Sequence, residues 1–222
     1  VAEAADPSLD APNQSRESLT MKLYYFPGAC SLSPHIALRE SGLSFELEQM
    51  DPKTKKTKSG ADFLKINPKG YVPVLQLDDG ELLTEAAVIV QYIADKKPES
   101  KLLPPAGSFE RYRAQEWLNY VATEIHKGVG AMFNPKLTDP WKQILRESVA
   151  PKFDFLTKRL EGKSFAFGDG FSAVDGYLFT VLGWPQYVGI DLAKWPVLKS
   201  YTDRIAQRPA VQAALKAEGL AK

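Results

Sequence analysis

The 222-residue chain has one cysteine and two histidines, and no apolar run in it approaches the roughly 20 residues needed to cross a bilayer. A lone cysteine excludes an internal disulfide, which suits a reducing cytosol and leaves the Cys30 thiol free. Charge of one sign is lacking as well. With 28 basic and 27 acidic side chains the formal net charge is +1, too weak a field to draw nucleic acid or an anionic membrane. Neither of these is an expected partner, and no metal is expected. A small molecule or another protein is the default. Residues 1–20, VAEAADPSLDAPNQSRESLT, have no sustained periodicity and are expected to be a poorly ordered leader ahead of Met21. A cytoplasmic location is expected. Because position 1 is Val, a stub left after removal of an export signal keeps the periplasm open as an alternative.

What the chain does have is enough apolar material, 44% of its residues, for one sizeable core or two modest ones. Lys22–Phe26 is a β-rich run, Pro27-Gly28-Ala29 a turn, and Ser31–Ser41 helical in spacing, with Gly42 where a helix stop belongs. FELEQM (residues 45–50) alternates as a half-exposed strand does, and a short helical piece follows at Ala61–Ile66. YVPVLQL and ELL flank Asp78-Asp79-Gly80 as an antiparallel hairpin, and Thr84–Asp95 returns to helical spacing. Strand, helix, strand, short helix, strand, strand, helix predicts a parallel pair with an antiparallel edge, the layout of a thioredoxin-like α/β domain over residues 21–99. Residues 100–108 have linker composition. From 109 to 222 every long segment has a helical period: Phe109 to about Met132, Trp141–Leu160, Ser172 to about Leu182, Val197–Gln207 and Ala210–Ala217. This predicts an all-helical bundle. Within it Ser172-Ala173-Val174-Asp175 has the spacing of a capping box, a structural device.

Cys30 lies where a strand hands over to a helix. Free amides and the positive helix end there favour an anion, so its thiol is expected to ionise more easily than a model thiol; the alternative is a small buried hydrophobe. Cys30-Ser31-Leu32-Ser33 resembles the redox CxxC site, but Ser33 replaces the resolving thiol, so a mixed disulfide on Cys30 must wait for an outside thiol such as glutathione. Two features nearby suit a peptide-like thiol ligand. A cis Val72-Pro73 bond would turn the Val72 backbone toward an extended peptide. Glu85 opens a helix whose end amides can hold a carboxylate while its own carboxylate pairs with an ammonium, or it simply complements the helix dipole. In EWLNYVATEIHKG, residues Asn119, Thr123 and His126 recur at i, i+4 and i+7 as a polar stripe, facing either a cleft or bulk water. His126 could stabilise a thiolate or move a proton; His35, just after Pro34, is expected to be structural.

Taken in order, YYFPGACSLSPHIALRESGL, NPKGYVPVLQLDDGELLTE, IVQYIAD, ERYRAQEWLNYVATEIHKG and RPAVQAALKAEGL resemble a bacterial beta-class glutathione S-transferase from Met21 onward. The resemblance implies a homodimeric enzyme, with glutathione as co-substrate and no metal, that conjugates glutathione to electrophilic small molecules. It implies that Cys30 meets the glutathione sulfur and can hold it as a mixed disulfide, and that His126 and Lys127 approach from the helical domain. Lys55, Val72, Glu85, Ala86 and Asn119 match glutathione contacts, Thr123 sits where the neighbouring subunit reaches across, and Trp184 lines the electrophile pocket. Two positions depart from the pattern: Ala86 removes a hydroxyl that many transferases offer, and Pro185 follows Trp184 directly. Two alternatives stand beside this reading, a glutathione-dependent thiol-disulfide or peroxide reductase and a non-catalytic transferase-like binding protein.

Overall fold

A computed structural model describes residues 20–221, so the expected leader, apart from Thr20, lies outside the described residues. Strand β1 (Met21–Tyr25) alternates: Met21, Leu23 and Tyr25 enter the main core, while Tyr24 turns to the opposite face. Helix α1 (Leu32–Ser41) stops at Gly42, whose φ of 70° is a left-handed conformation suited to glycine and whose amide returns to the Arg39 carbonyl. Strand β2 (Phe45–Gln49) runs parallel to β1. Helix α2 (Phe63–Ile66) is capped by Asp62, which accepts the Leu64 amide. Strands β3 (Val74–Gln76) and β4 (Leu82–Thr84) form the antiparallel edge, and helix α3 (Ala86–Lys96) follows. The sheet order is β2-β1-β3-β4. A small cluster of Tyr24, Met50, Phe63 and Val74 fills one side of this sheet. The expected thioredoxin-like topology is present, with shorter hairpin strands than the sequence pattern suggested.

The remainder is helical. Helix α4 (Phe109–Tyr120) starts at Ser108, whose hydroxyl accepts the Arg111 amide. A continuous helix to about Met132 was expected, but Val121–His126 winds instead as a π turn before helix α5 (Lys127–Gly130) and a 3-10 turn at Ala131–Phe133. Its wider winding puts Thr123 and His126 on angles that 3.6-residue spacing does not give. Lys152 supports this turn from helix α6 (Asp139–Leu160), bonding both the Glu124 carboxylate at 2.8 Å and its carbonyl at 3.3 Å. Helices α7 (Ala173–Leu182), α8 (Pro196–Ala206) and α9 (Pro209–Ala217) complete the bundle.

One continuous core links the two halves, from Leu23, Ile36 and Ile89 to Leu118, Phe153, Tyr177 and Tyr201, with α1 packed against α3, α7 and α9. At the start of α7 the buried Asp175 accepts the Ser172 amide and hydroxyl, the Ala166 amide and the Tyr201 hydroxyl. Burial raises its carboxyl pKa and these four donors oppose the rise, so the Ser172–Asp175 motif is structural, as its spacing suggested. No helix among the described residues is long and apolar enough to cross a membrane.

Candidate functional site

The turn after β1 places Cys30 one residue before the Ser31 cap of α1. Gly28 makes that turn with φ 72° and is held from two directions. Its amide donates to Glu218 Oε2 at 2.9 Å, and its carbonyl accepts Trp184 Nε1–H at 2.8 Å. Cys30 Sγ lies 3.4 Å from the Val72 carbonyl, and the Val72-Pro73 bond is cis. The Val72 amide has no acceptor among the described residues.

The thiol itself corrects an expectation. Burial pushes Cys30 up to about 11, and the amides of Cys30 and Ser31 with the Lys127 charge only partly offset this, while Glu85 adds to it. Desolvation outweighs the helix end because Cys30 stands outside the helix proper. Burial therefore favours the neutral thiol at pH 7, and its S–H faces the Val72 carbonyl.

Glu85 stands at the head of α3 with φ 70°, a strained conformation for a residue that is not glycine. Its exposed carboxylate is bonded through Oε1 to Lys69 Nζ at 2.7 Å, which also reaches Thr84 Oγ1 at 3.0 Å. The Val88 and Ile89 amides return to the Glu85 carbonyl, so the amides of the buried Ala86 and of Ala87 have no acceptor among the described residues. Lys55 donates to the Gly70 carbonyl at 2.9 Å and lies over the Tyr71 ring.

From the helical side, the half-buried His126 ends the π turn. Its Nδ1 is 2.6 Å from the Tyr177 hydroxyl, and its ring meets Trp184 edge-on at 4.9 Å. Burial lowers His126 to about 4, with Lys127 lowering it further and Glu85 opposing, so the imidazole is neutral at pH 7. Asn119, Thr123 and Lys127 are exposed, and the Thr123 hydroxyl donates to the Asn119 carbonyl at 3.0 Å. Trp184 is buried between His126 and a cavity of about 840 Å³ lined by Gly28, Leu32, Phe179, Tyr187 and Leu220 among others. Pro185 starts a 3-10 turn there, and the half-exposed Phe133 meets the indole edge-on. His35 is fully buried and structural in its bonding, with Nδ1 2.8 Å from Glu218 Oε1 and Nε2 accepting Arg39 Nε–H at 2.9 Å.

Lys69, Tyr177 and Glu218 escaped the sequence reading. Lys69 and Glu218 lie inside the runs NPKGYVPVLQLDDGELLTE and RPAVQAALKAEGL, and Tyr177 inside the helical segment from Ser172 to about Leu182, with nothing local to single them out. Among the described residues no group of three His, Cys, Asp or Glu side chains is placed to hold a metal ion.

Comparison with known proteins gives the family. The family description "Glutathione S-transferase, N-terminal domain" matches residues 19–95, and "Glutathione S-transferase, C-terminal domain" matches residues 120–209. Glutathione S-transferase GstA of Escherichia coli O157:H7 is 46% identical over 90% of this chain and all of its own length. A sphingomonad glutathione S-transferase solved with glutathione is 51% identical, with TM-score 0.87, covering 90% of this chain and 100% of that one. A bacterial beta-class enzyme of Sphingomonas chungbukensis is 49% identical, with TM-score 0.87 over 90% of this chain and 99% of its own. The chain belongs to the glutathione S-transferase family.

Proposed function

We propose that this transferase binds glutathione along Cys30, Val72 and the head of α3 and joins its sulfur to electrophilic small molecules. The observation that carries the reading is the 3.4 Å contact of the Cys30 thiol with Val72, beside an unused Val72 amide. One thiol and one free backbone amide just ahead of β3 together suit a cysteine-containing peptide. The open amides of Ala86 and Ala87 suit the γ-glutamyl carboxylate without the hydroxyl missing at position 86, and the free oxygen of Glu85 suits the ammonium. Lys55, Asn119 and Lys127 complete the glutathione contacts, with Thr123 at the neighbouring subunit. Trp184 forms part of the electrophile wall through its contacts with His126 and Phe133.

In conjugation the glutathione thiol releases its proton to solvent and its sulfur bonds to the electrophilic carbon, whose leaving group departs with the bonding electrons. Neutral His126, and the Cys30 S–H once it turns from the Val72 carbonyl, act as hydrogen-bond donors to the developing thiolate. Exchange with oxidised glutathione needs the Cys30 thiolate, whose attack forms the mixed disulfide and releases one glutathione thiolate. Burial of the Cys30 thiol opposes its ionisation, which favours conjugation over the reductase reading.

The same proposal takes residues 21–99 as the glutathione domain, 100–108 as linker and 109–222 as the helical domain of a cytoplasmic homodimer. Apolar side chains left exposed on neighbouring elements support the dimer: Leu82 and Val88 on β4 and α3, and Phe109 and Tyr112, 66% and 60% exposed, on α4.

Cys30→Ala tests the site. Conjugation of glutathione to an activated aryl halide is expected to persist within about tenfold, because His126 and the backbone amides still act. The glutathione adduct formed with oxidised glutathione, read by intact mass, is expected to vanish. Failure of the wild type to bind millimolar glutathione by calorimetry overturns the proposal.

A further inference from the structure

The buried hydroxyl of Tyr177 ends 2.6 Å from His126 Nδ1 and has no other partner among the described residues. Two proton arrangements fit that distance. In one, Nδ1–H donates to the hydroxyl, and the phenolic proton is left without an acceptor in a site where only 2% of the tyrosine is exposed. In the other, the hydroxyl donates to the Nδ1 lone pair and both atoms are satisfied. Buried donors are rarely left unpaired, so the second arrangement is favoured. Burial also holds the phenol far above its ordinary pKa, which keeps the proton on Tyr177.

We propose that Tyr177 is a positioning residue that fixes the tautomer of His126, placing the imidazole proton on Nε2 as the donor offered to the glutathione sulfur. Nε2 has no protein partner among the described residues. With its proton there, it donates to a thiolate; with the proton on Nδ1, it would present a lone pair and repel one. Three charged or titratable groups act on this pair: Lys127 on the helix after the π turn, Glu85 at the head of α3 and Cys30 before α1. The π turn and the edge-on packing of the His126 ring on Tyr177, with centroids 5.9 Å apart, hold the imidazole in place. The role of Nε2 toward sulfur rests on the transferase reading above; the tautomer itself does not.

Tyr177→Phe keeps the ring and removes only the hydroxyl. The chain has just two histidines, so ¹⁵N-histidine spectra of the intact enzyme can be assigned by comparison with His126→Gln. The expected wild-type result is His126 at pH 7 with Nδ1 unprotonated and Nε2 protonated, and a mixture of tautomers in Tyr177→Phe. Conjugation by Tyr177→Phe is expected to lose about tenfold in kcat with little change in KM for glutathione, and the alkaline-going limb of its pH profile to move upward. In a His126→Gln background the same substitution is expected to have no further effect on kcat. A protonated Nδ1 in the wild type, or an unchanged Tyr177→Phe spectrum, overturns the tautomer assignment. A changed spectrum with unchanged kcat and pH profile overturns the link to sulfur. If the wild type fails to bind glutathione, the transferase reading falls while the tautomer spectra remain decisive for Tyr177.

Discussion

The two histidines occupy neighbourhoods of opposite kinds. His35 is sealed in α1 with both ring nitrogens engaged, one by Glu218 and one by Arg39. His126 has one nitrogen engaged by Tyr177 and the other without a partner among the described residues. Residue type does not separate the two roles; unused hydrogen-bonding capacity, together with the fuller burial of His35, does. A saturated ring holds elements together, and a ring with one free nitrogen can meet a ligand.

The sharpest way to break this contrast is at Glu218. Glu218→Ala strips the acceptor from buried His35 and from the Gly28 amide, and an expected loss of about 2–5 kcal/mol should appear in urea unfolding. Glu218→Gln, which keeps the shape, should lose less. Unchanged stability with collapsed conjugation would move the His35 neighbourhood into the chemistry.

A pH titration sharpens the other side. The folded His126 titrates at about 4, below the ordinary 6.5, so between these values the unfolded chain binds a proton that the folded one does not. Its contribution to stability is therefore present above pH 6.5 and is lost as pH falls from about 6.5 toward 4. His126→Gln should flatten that part of the stability profile. A profile identical to wild type would show that His126 is not held neutral by the fold.

The smallest effect belongs to the rim of the open neighbourhood. The Lys69–Glu85 pair is more than half exposed on both sides, so Lys69→Met should leave stability within about 0.5 kcal/mol. Glutathione affinity, by calorimetry, should weaken by less than about threefold. A larger loss would make Lys69 part of the binding site rather than a surface neighbour of it.

What the sequence made legible was local. The turn at Pro27-Gly28, the thiol before a helix, Ser33 in the place of a second thiol, the hairpin and the Ser172–Asp175 cap each lie within a few residues of chain. Their geometry follows from turn and cap chemistry alone. What stayed hidden depended on distant partners: Tyr177 reaches His126 across 51 positions, and Glu218 reaches Gly28 across 190. No spacing rule announces such pairs. The Cys30 thiol illustrates the same limit, since the local helix end argued for a lowered pKa and the surrounding packing decided the opposite. The π turn was hidden because its sequence has ordinary helical periodicity, and Lys152, which supports it, comes from another helix.

The double grip on Gly28 has a thermodynamic meaning for the ligand. A thiol on an untethered turn would wander in the free enzyme and lose that freedom on capture, which would subtract from affinity. Glu218 and Trp184, drawn from two places far along the chain, remove much of that motion when the protein folds. The ordering cost is thereby shifted from the encounter with glutathione to the folding of the whole polypeptide.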